Sequence, residues 1–238
     1  MLPNNISYGP KMKRNFFNMY SDLYAPSFEE YSFYGRAPNP EEGNGLVNGC
    51  GVVAGYYIGP GADLREAVLS DADLKGANLR GANLKGAILW RTNLKLAFLE
   101  DADLRGAILD RADLSRAHLE RARLDGADLS EATLTRAYLT GAKLPRVTLT
   151  GADLEGAFMQ NTAINDADLA NANLRETKLA NANLSRSNLT SADLSYANLY
   201  GADLSRTEVW EADFTGTILD GANIPPRTMA YIRTRRGN

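Results

Sequence analysis

Residues with side chains suited to catalysis are few and scattered. Histidine occurs once, at His118, and cysteine once, at Cys50. A histidine with no second histidine or cysteine near it lacks the partners of a base pair or a zinc ligand set, so His118 reads as a surface residue. Cys50 lies in Gly49-Cys50-Gly51 with no cation-rich setting to lower its pKa, and reads as a small residue in an N-terminal cap. The run Gly49-Cys50-Gly51-Val52-Val53-Ala54 superficially matches the dinucleotide-binding fingerprint. That fingerprint needs a preceding strand and a following helix, and a repeat begins too soon after it for either. Asp and Glu are plentiful, but a repeat that prefers Asp at one position produces close carboxylates without catalysis. No metal-ligand spacing appears. The expectation is no enzyme, with no catalytic residue, no cofactor and no metal.

The charge balance is mildly acidic, 26 Lys and Arg against 29 Asp and Glu in 238 residues. A dedicated binder of phosphate backbones shows a basic excess, so no direct nucleic-acid partner is expected. One thiol forbids an intrachain disulfide and fits a reducing compartment. Met1 to Lys11 is polar, and no stretch approaches the ~18 apolar residues of a membrane span. These features predict a cytoplasmic protein with no membrane partner.

The informative pattern is a repeat. From Ala62 to Ile224 the chain divides into five-residue units without an insertion, as in Ala62-Asp63-Leu64-Arg65-Glu66 and Ala192-Asp193-Leu194-Ser195-Tyr196. With the central residue called position i, there are 33 units. Leu occupies i in 28 of them, and the others hold Met159, Ile164, Val209, Phe214 and Ile224. Ala occupies i−2 in 26, with Thr92, Val147, Thr162, Thr177, Ser187, Thr207 and Thr217 in the rest.

A period of five suits neither ordinary element. Five helical residues advance about 500°, which scatters successive leucines around the axis. Five residues of straight strand send each leucine to the opposite face from the last. All of them can be buried only if the chain turns about once per unit, with i and i−2 both pointing inward. Eleven of the 32 interior i+2 positions are Gly, and Asn161, Asn171 and Asn181 add three Asn. Both residues tolerate the positive φ of tight turns. Short polar side chains are common at i−1, where they can bond nearby backbone.

These units resemble the pentapeptide-repeat family, whose motif is A-(D/N)-L-x-x. The resemblance implies an all-β chain folded as a right-handed quadrilateral β-helix with four units per coil and i−1 facing outward. Thirty-three units then make about eight coils, on the order of 40 Å at ~4.8 Å per coil.

The expected organisation has four parts. Residues 1–45 form an aromatic-rich arm, 46–61 an N-terminal cap, 62–224 the solenoid, and 225–238 a C-terminal cap or tail. Eleven of the 20 aromatic residues lie within 1–61. The arm holds Phe16, Phe17, Tyr20, Tyr24, Phe28, Tyr31, Phe33 and Tyr34, residues that carry much interface energy. At the other end Pro225-Pro226 stops the repeat, and 227–236 predicts a short helix with Met229 and Ile232 over the last coil.

Positions 20 apart stack on one face of a four-sided coil. One outward column reads Asn78, Phe98, His118, Tyr138, Phe158, Lys178; the opposite one reads Val68, Ile88, Ile108, Asp128. Phe98, His118, Tyr138 and Phe158 are therefore expected partner-binding residues, although rings and β-branched side chains also suit exposed strands for their own sake. The expected function is a structural or interaction scaffold that meets a protein partner, or a second copy, through the arm and these columns. Two alternatives stand beside it: a subunit of a larger assembly such as a phage tail or spike, hence virion-associated, and a DNA-mimicking binder of type II topoisomerase. The resemblance brings in the last, since some members of this family, abundant in cyanobacteria, imitate duplex DNA. The repeat carries 18 basic and 24 acidic residues, a sparse charge for a duplex mimic. Its core is leucine where the mimicking members favour Phe, and no loop breaks its register.

Overall fold

The structure is a computed structural model that describes residues 46–236, with side chains as far as Thr234. The arm and its eight aromatic residues from Phe16 to Tyr34 lie outside the described residues.

From residue 62 the chain winds as a right-handed quadrilateral β-helix, and each residue at i−1 bridges, in parallel, the residue 20 positions on: Asp63 to Asn83, Val68 to Ile88, Asp73 to Asn93, Asn78 to Phe98. The four faces are numbered here in that order. Backbone bonds run between coils and not along them. Leu64 donates its N–H to the Asn83 carbonyl at 2.7 Å, Asn83 donates to Ala62 at 2.9 Å, and Glu66 donates to Lys85 at 3.0 Å. Corners close by a second bond, such as Ala67 N–H to the Leu64 carbonyl at 3.1 Å. Strand amides and corner amides are thus satisfied inside one column.

The interior follows the repeat. Leucines at i and alanines at i−2 are fully buried through almost the whole solenoid. Six inner positions carry hydroxyls in place of Ala methyls, and each returns its proton to a carbonyl. Thr92 donates to Leu69 at 2.7 Å, Ser187 to Ile164 at 2.8 Å and Thr207 to Leu204 at 2.7 Å. A buried hydroxyl bonded in this way avoids the desolvation penalty of an unpaired one.

The corners depart from the sequence reading. Gly and Asn were the residues expected to supply positive φ, yet every i+2 position from Glu66 to Gly221 adopts it, including Arg91 at 55°, Leu96 at 60° and Tyr196 at 59°. The left-handed region costs a residue with a Cβ roughly 1–2 kcal/mol. Here the stacked corner amides hold the chain in it, and repeat geometry overrides residue preference.

Both ends are closed by other means. Leu46–Val47 (β1), Cys50–Val53 (β2) and Tyr56–Ile58 (β3) form an antiparallel meander in the order β1-β2-β3. It supplies acceptors that a preceding coil would have given. The Gly49 carbonyl accepts from Asn78 N–H at 2.7 Å, and the Tyr56 hydroxyl accepts from Val68 N–H at 3.4 Å. Gly49 must be glycine: its φ is 79°, and a Cβ there would stand 2.6 Å from the Gly76 carbonyl oxygen. At the far end Pro226–Arg236 forms the helix α1, whose first residue suits proline because that N–H has no intrahelical partner. Ile232 is completely buried against the last coil and Met229 is half-buried. The Tyr231 hydroxyl accepts from Glu211 N–H at 2.7 Å. Among the described residues no helix is long and apolar enough to cross a membrane.

The resemblance of residues 49–54 to a dinucleotide fingerprint does not survive. This segment is the β1–β2 turn and the strand β2, and it runs into the antiparallel strand β3. No helix follows whose N-terminus could face a pyrophosphate. Burial pushes the Cys50 thiol above its usual pKa, which makes it a poorer nucleophile at neutral pH.

Candidate interaction face

The fourth face carries the aromatic column. Its residues at i−1 are neighbours because the coil is 20 residues long, and a coil rise near 4.8 Å suits stacked rings. Phe98 and His118 have centroids 5.3 Å apart at an interplanar angle of 19°. His118 and Tyr138 are 4.7 Å apart at 14°, and Tyr138 and Phe158 are 5.1 Å apart at 5°. This is one continuous four-ring ladder. Each ring covers its neighbours, so Phe98, His118 and Phe158 are half-buried and only Tyr138 is exposed, at 36%. The expected strip is therefore continuous but presents chiefly ring edges.

Beside the ladder runs the i+1 column, which the sequence reading passed over. The Arg80 guanidinium sits 4.2 Å from the Phe98 centroid and donates to Glu100 Oε1 at 3.1 Å. One coil further, Glu120 Oε1 lies 3.5 Å from His118 Nδ1. The second carboxylate oxygen of each acid, Oε2 of Glu100 and of Glu120, is buried and has no hydrogen-bond partner. Glu100, His118 and Glu120 offer ligand atoms that all lie within 4.8 Å of one another. The sequence shows only His118 and Glu120 close together, because Glu100 lies 18 and 20 residues before them and joins them one coil away.

The opposite second face keeps its apolar start, with Val68 and Ile108 exposed and Ile88 half-buried. Further exposed apolar side chains, missed at the sequence level, lie near the C-terminal end on two opposite faces. Tyr196, Tyr200 and Ile218 share the fourth face or its leading corner, and Trp210, 62% exposed, meets Tyr231 of α1 edge-on at 5.2 Å. Bulky rings at i+1 and i+2, where earlier coils mostly place charged or small residues, were the available signal.

Charges on the corners pair along the column. Arg121 binds Asp101 at 2.6 Å and Arg111 binds Glu131 at 2.8 Å, while Arg186 hydrogen-bonds Asp166 and, with Asn165, lowers its carboxyl to about 2. On the first face Arg105 holds the Asp103 carboxyl below its ordinary range through paired hydrogen bonds. These pairs are largely exposed, and surface pairs of this kind add little stability each. Their effect is to neutralise the surface locally.

Solved structures similar to this one are pentapeptide-repeat proteins and a resistance protein of the same shape. A trypsin-treated form of QnrB1, a plasmid-mediated fluoroquinolone resistance protein, aligns with a TM-score of 0.52 at 20% identity, covering 75% of this chain and 91% of that one. HetL, a pentapeptide repeat protein involved in heterocyst differentiation regulation from the cyanobacterium Nostoc sp. strain PCC 7120, is 32% identical, covering 69% of this chain and 81% of that one at a TM-score of 0.25. No curated protein matches the sequence. The model of the family described as pentapeptide repeats matches residues 62–101, 97–136, 134–171 and 167–206, which is more than half of the chain, and the protein belongs to the pentapeptide-repeat family.

Proposed function

We propose that this protein is a non-enzymatic scaffold, a stiff β-solenoid that presents its fourth face to a protein partner, with residues 1–45 as the attachment element. The observation that carries this reading is the Phe98–His118–Tyr138–Phe158 ladder. The solenoid core is already complete beneath it, since Ala97, Ala117, Ala137 and Ala157 are fully buried, so the rings are not required to fill the interior. Aromatic side chains held in fixed rotamers bind with little loss of entropy. Duplex mimicry fits less well. It needs continuous negative charge, and Asp71, Asp101, Glu131 and Asp166 are each matched by an arginine on the same corner column.

The test compares the full chain, the chain without residues 1–45, and a triple variant with Phe98, Tyr138 and Phe158 changed to Ser. Oligomeric state by light scattering and capture of a cross-linked partner are measured on all three. The reading expects the deletion to abolish association with little change in the thermal transition, and the triple variant to weaken association. Intact association in both variants overturns it.

A further inference from the structure

We propose that Glu100, His118 and Glu120 form a binding site for one divalent transition-metal ion, with Zn2+ the best match, held between two neighbouring coils. The site stands independently of the interaction role argued above.

Three observations converge. The first is geometric. His118 Nδ1 and Glu120 Oε1 are 3.5 Å apart, close to the edge of a tetrahedron built on metal–ligand bonds of about 2.0–2.1 Å, which is roughly 3.4 Å. The remaining ligand atoms lie within 4.8 Å, so small rotations of two glutamate side chains close the set. The second is the state of the carboxylates. Glu100 and Glu120 occupy the same i+1 column one coil apart, so like charges stand in register, an unfavourable arrangement. Arg80 engages only Oε1 of Glu100, and the Oε2 atoms of both acids are buried without a donor. Buried carboxylate oxygens are costly when nothing compensates them. A bound cation supplies that compensation to both at once. The third is preorganisation. The imidazole is clamped between Phe98 and Tyr138 at 5.3 and 4.7 Å, which fixes the ring plane with Nδ1 toward Glu120.

The donor set selects the ion. One imidazole nitrogen with two carboxylates suits Zn2+ and its first-row neighbours, whereas Mg2+ and Ca2+ prefer all-oxygen shells of six or more ligands. Three protein ligands leave a fourth position open, as in zinc sites that accept water or an external ligand. The ion would tie the coil of Glu100 to the coil of His118 and Glu120.

The experiment titrates ZnCl2 into the full chain, freed of any affinity tag and carrying Cys50→Ser to remove the one thiol. Heat of binding and the imidazole resonances are followed together, and because His118 is the only histidine its signals need no assignment. The proposal expects saturation at one ion per chain with displacement of the His118 resonances. His118→Phe, which keeps a ring in the ladder, and Glu120→Gln should each weaken binding at least tenfold. Mg2+ and Ca2+ at equal concentration should bind more weakly. Zinc binding that leaves the imidazole resonances in place overturns the proposal, as does the absence of saturable binding at millimolar zinc. Equal affinity in the parent and the folded His118→Phe chain does the same. The resonance measurement on the parent decides the matter even if a variant fails to fold.

Discussion

The third and fourth faces share one backbone and use it in opposite ways. On the third face the outward column reads Asp73, Asn93, Asp113, Thr133, Asp153, Asn173, Asp193, Asp213. Its carboxylates turn back on the chain. Asp73 accepts from Lys75 N–H at 3.1 Å and Asp113 from Ser115 N–H at 2.8 Å. Between coils the amides of Asn93 and Asn173 donate to Asp73 and Asp153, each at 2.9 Å. The column consumes its own hydrogen-bonding capacity. On the fourth face four successive positions, Phe98, His118, Tyr138 and Phe158, carry rings that stack on one another, flanked by two acids with unused buried oxygens. Behind both columns the interior is the same Ala and Leu packing. The difference teaches that the inner positions hold the coil together while the outer position is free to vary, and that a face becomes available to a partner or an ion when its side chains leave polar or aromatic surface unused.

The strongest test of this comparison is made on the inside. Ala112, beneath the third face, and Ala117, beneath the fourth, are both fully buried. Changing either to Leu overpacks a close-packed interior and should cost roughly 1–3 kcal/mol, and the two costs should agree. Ser115→Leu, at the outward i+1 position of the third face, should cost far less. Urea unfolding of the three variants checks this, and unequal alanine effects would break the claim of a common interior.

A smaller effect is expected outside. Tyr138→Ala removes two ring contacts, at 4.7 and 5.1 Å, and should cost about 1–2 kcal/mol on the usual scale of aromatic pairs. Thr133→Ala, one unit earlier on the third face, should change stability by less than about 0.5 kcal/mol. Thermal denaturation of both separates a ladder that contributes to stability from one that only decorates it.

The smallest effect is the share of the pH dependence that one carboxylate of the self-bonded face carries. Hydrogen bonds from the Thr215 hydroxyl and backbone N–H lower the Asp213 carboxyl below its ordinary pKa. A lowered folded-state value means that the contribution is fully present above the unfolded value near 4. It is lost as pH falls through the folded value. Asp213→Asn should flatten the acid limb of the melting temperature measured between pH 2 and 7. Replacing Phe158 by Leu on the fourth face should leave the shape of that limb unchanged.

Much of this was legible in the sequence because burial in a solenoid is a local matter. A five-residue period that turns once per unit forces i and i−2 inward, whatever the rest of the chain does. The closing helix was equally visible, since Pro225-Pro226 cannot continue the strand column and Ile232 had to be covered. The corners were legible only in part. Gly and Asn announced some of them, while Arg116 and Glu176 share the same positive φ without any residue signal, because stacked amides impose it. The Tyr56 and Tyr231 hydroxyls that cap the two ends replace coils that are not there, and no motif encodes a missing neighbour.

By itself, then, the sequence determined which side of the backbone each residue faces, because alternation and turning act over five residues. Tertiary structure decided what each outward residue touches. Glu100, His118 and Glu120 are spread over 21 residues of chain and meet only because a coil closes after 20. That register brings the two carboxylates and the imidazole to a separation where a single cation can satisfy them.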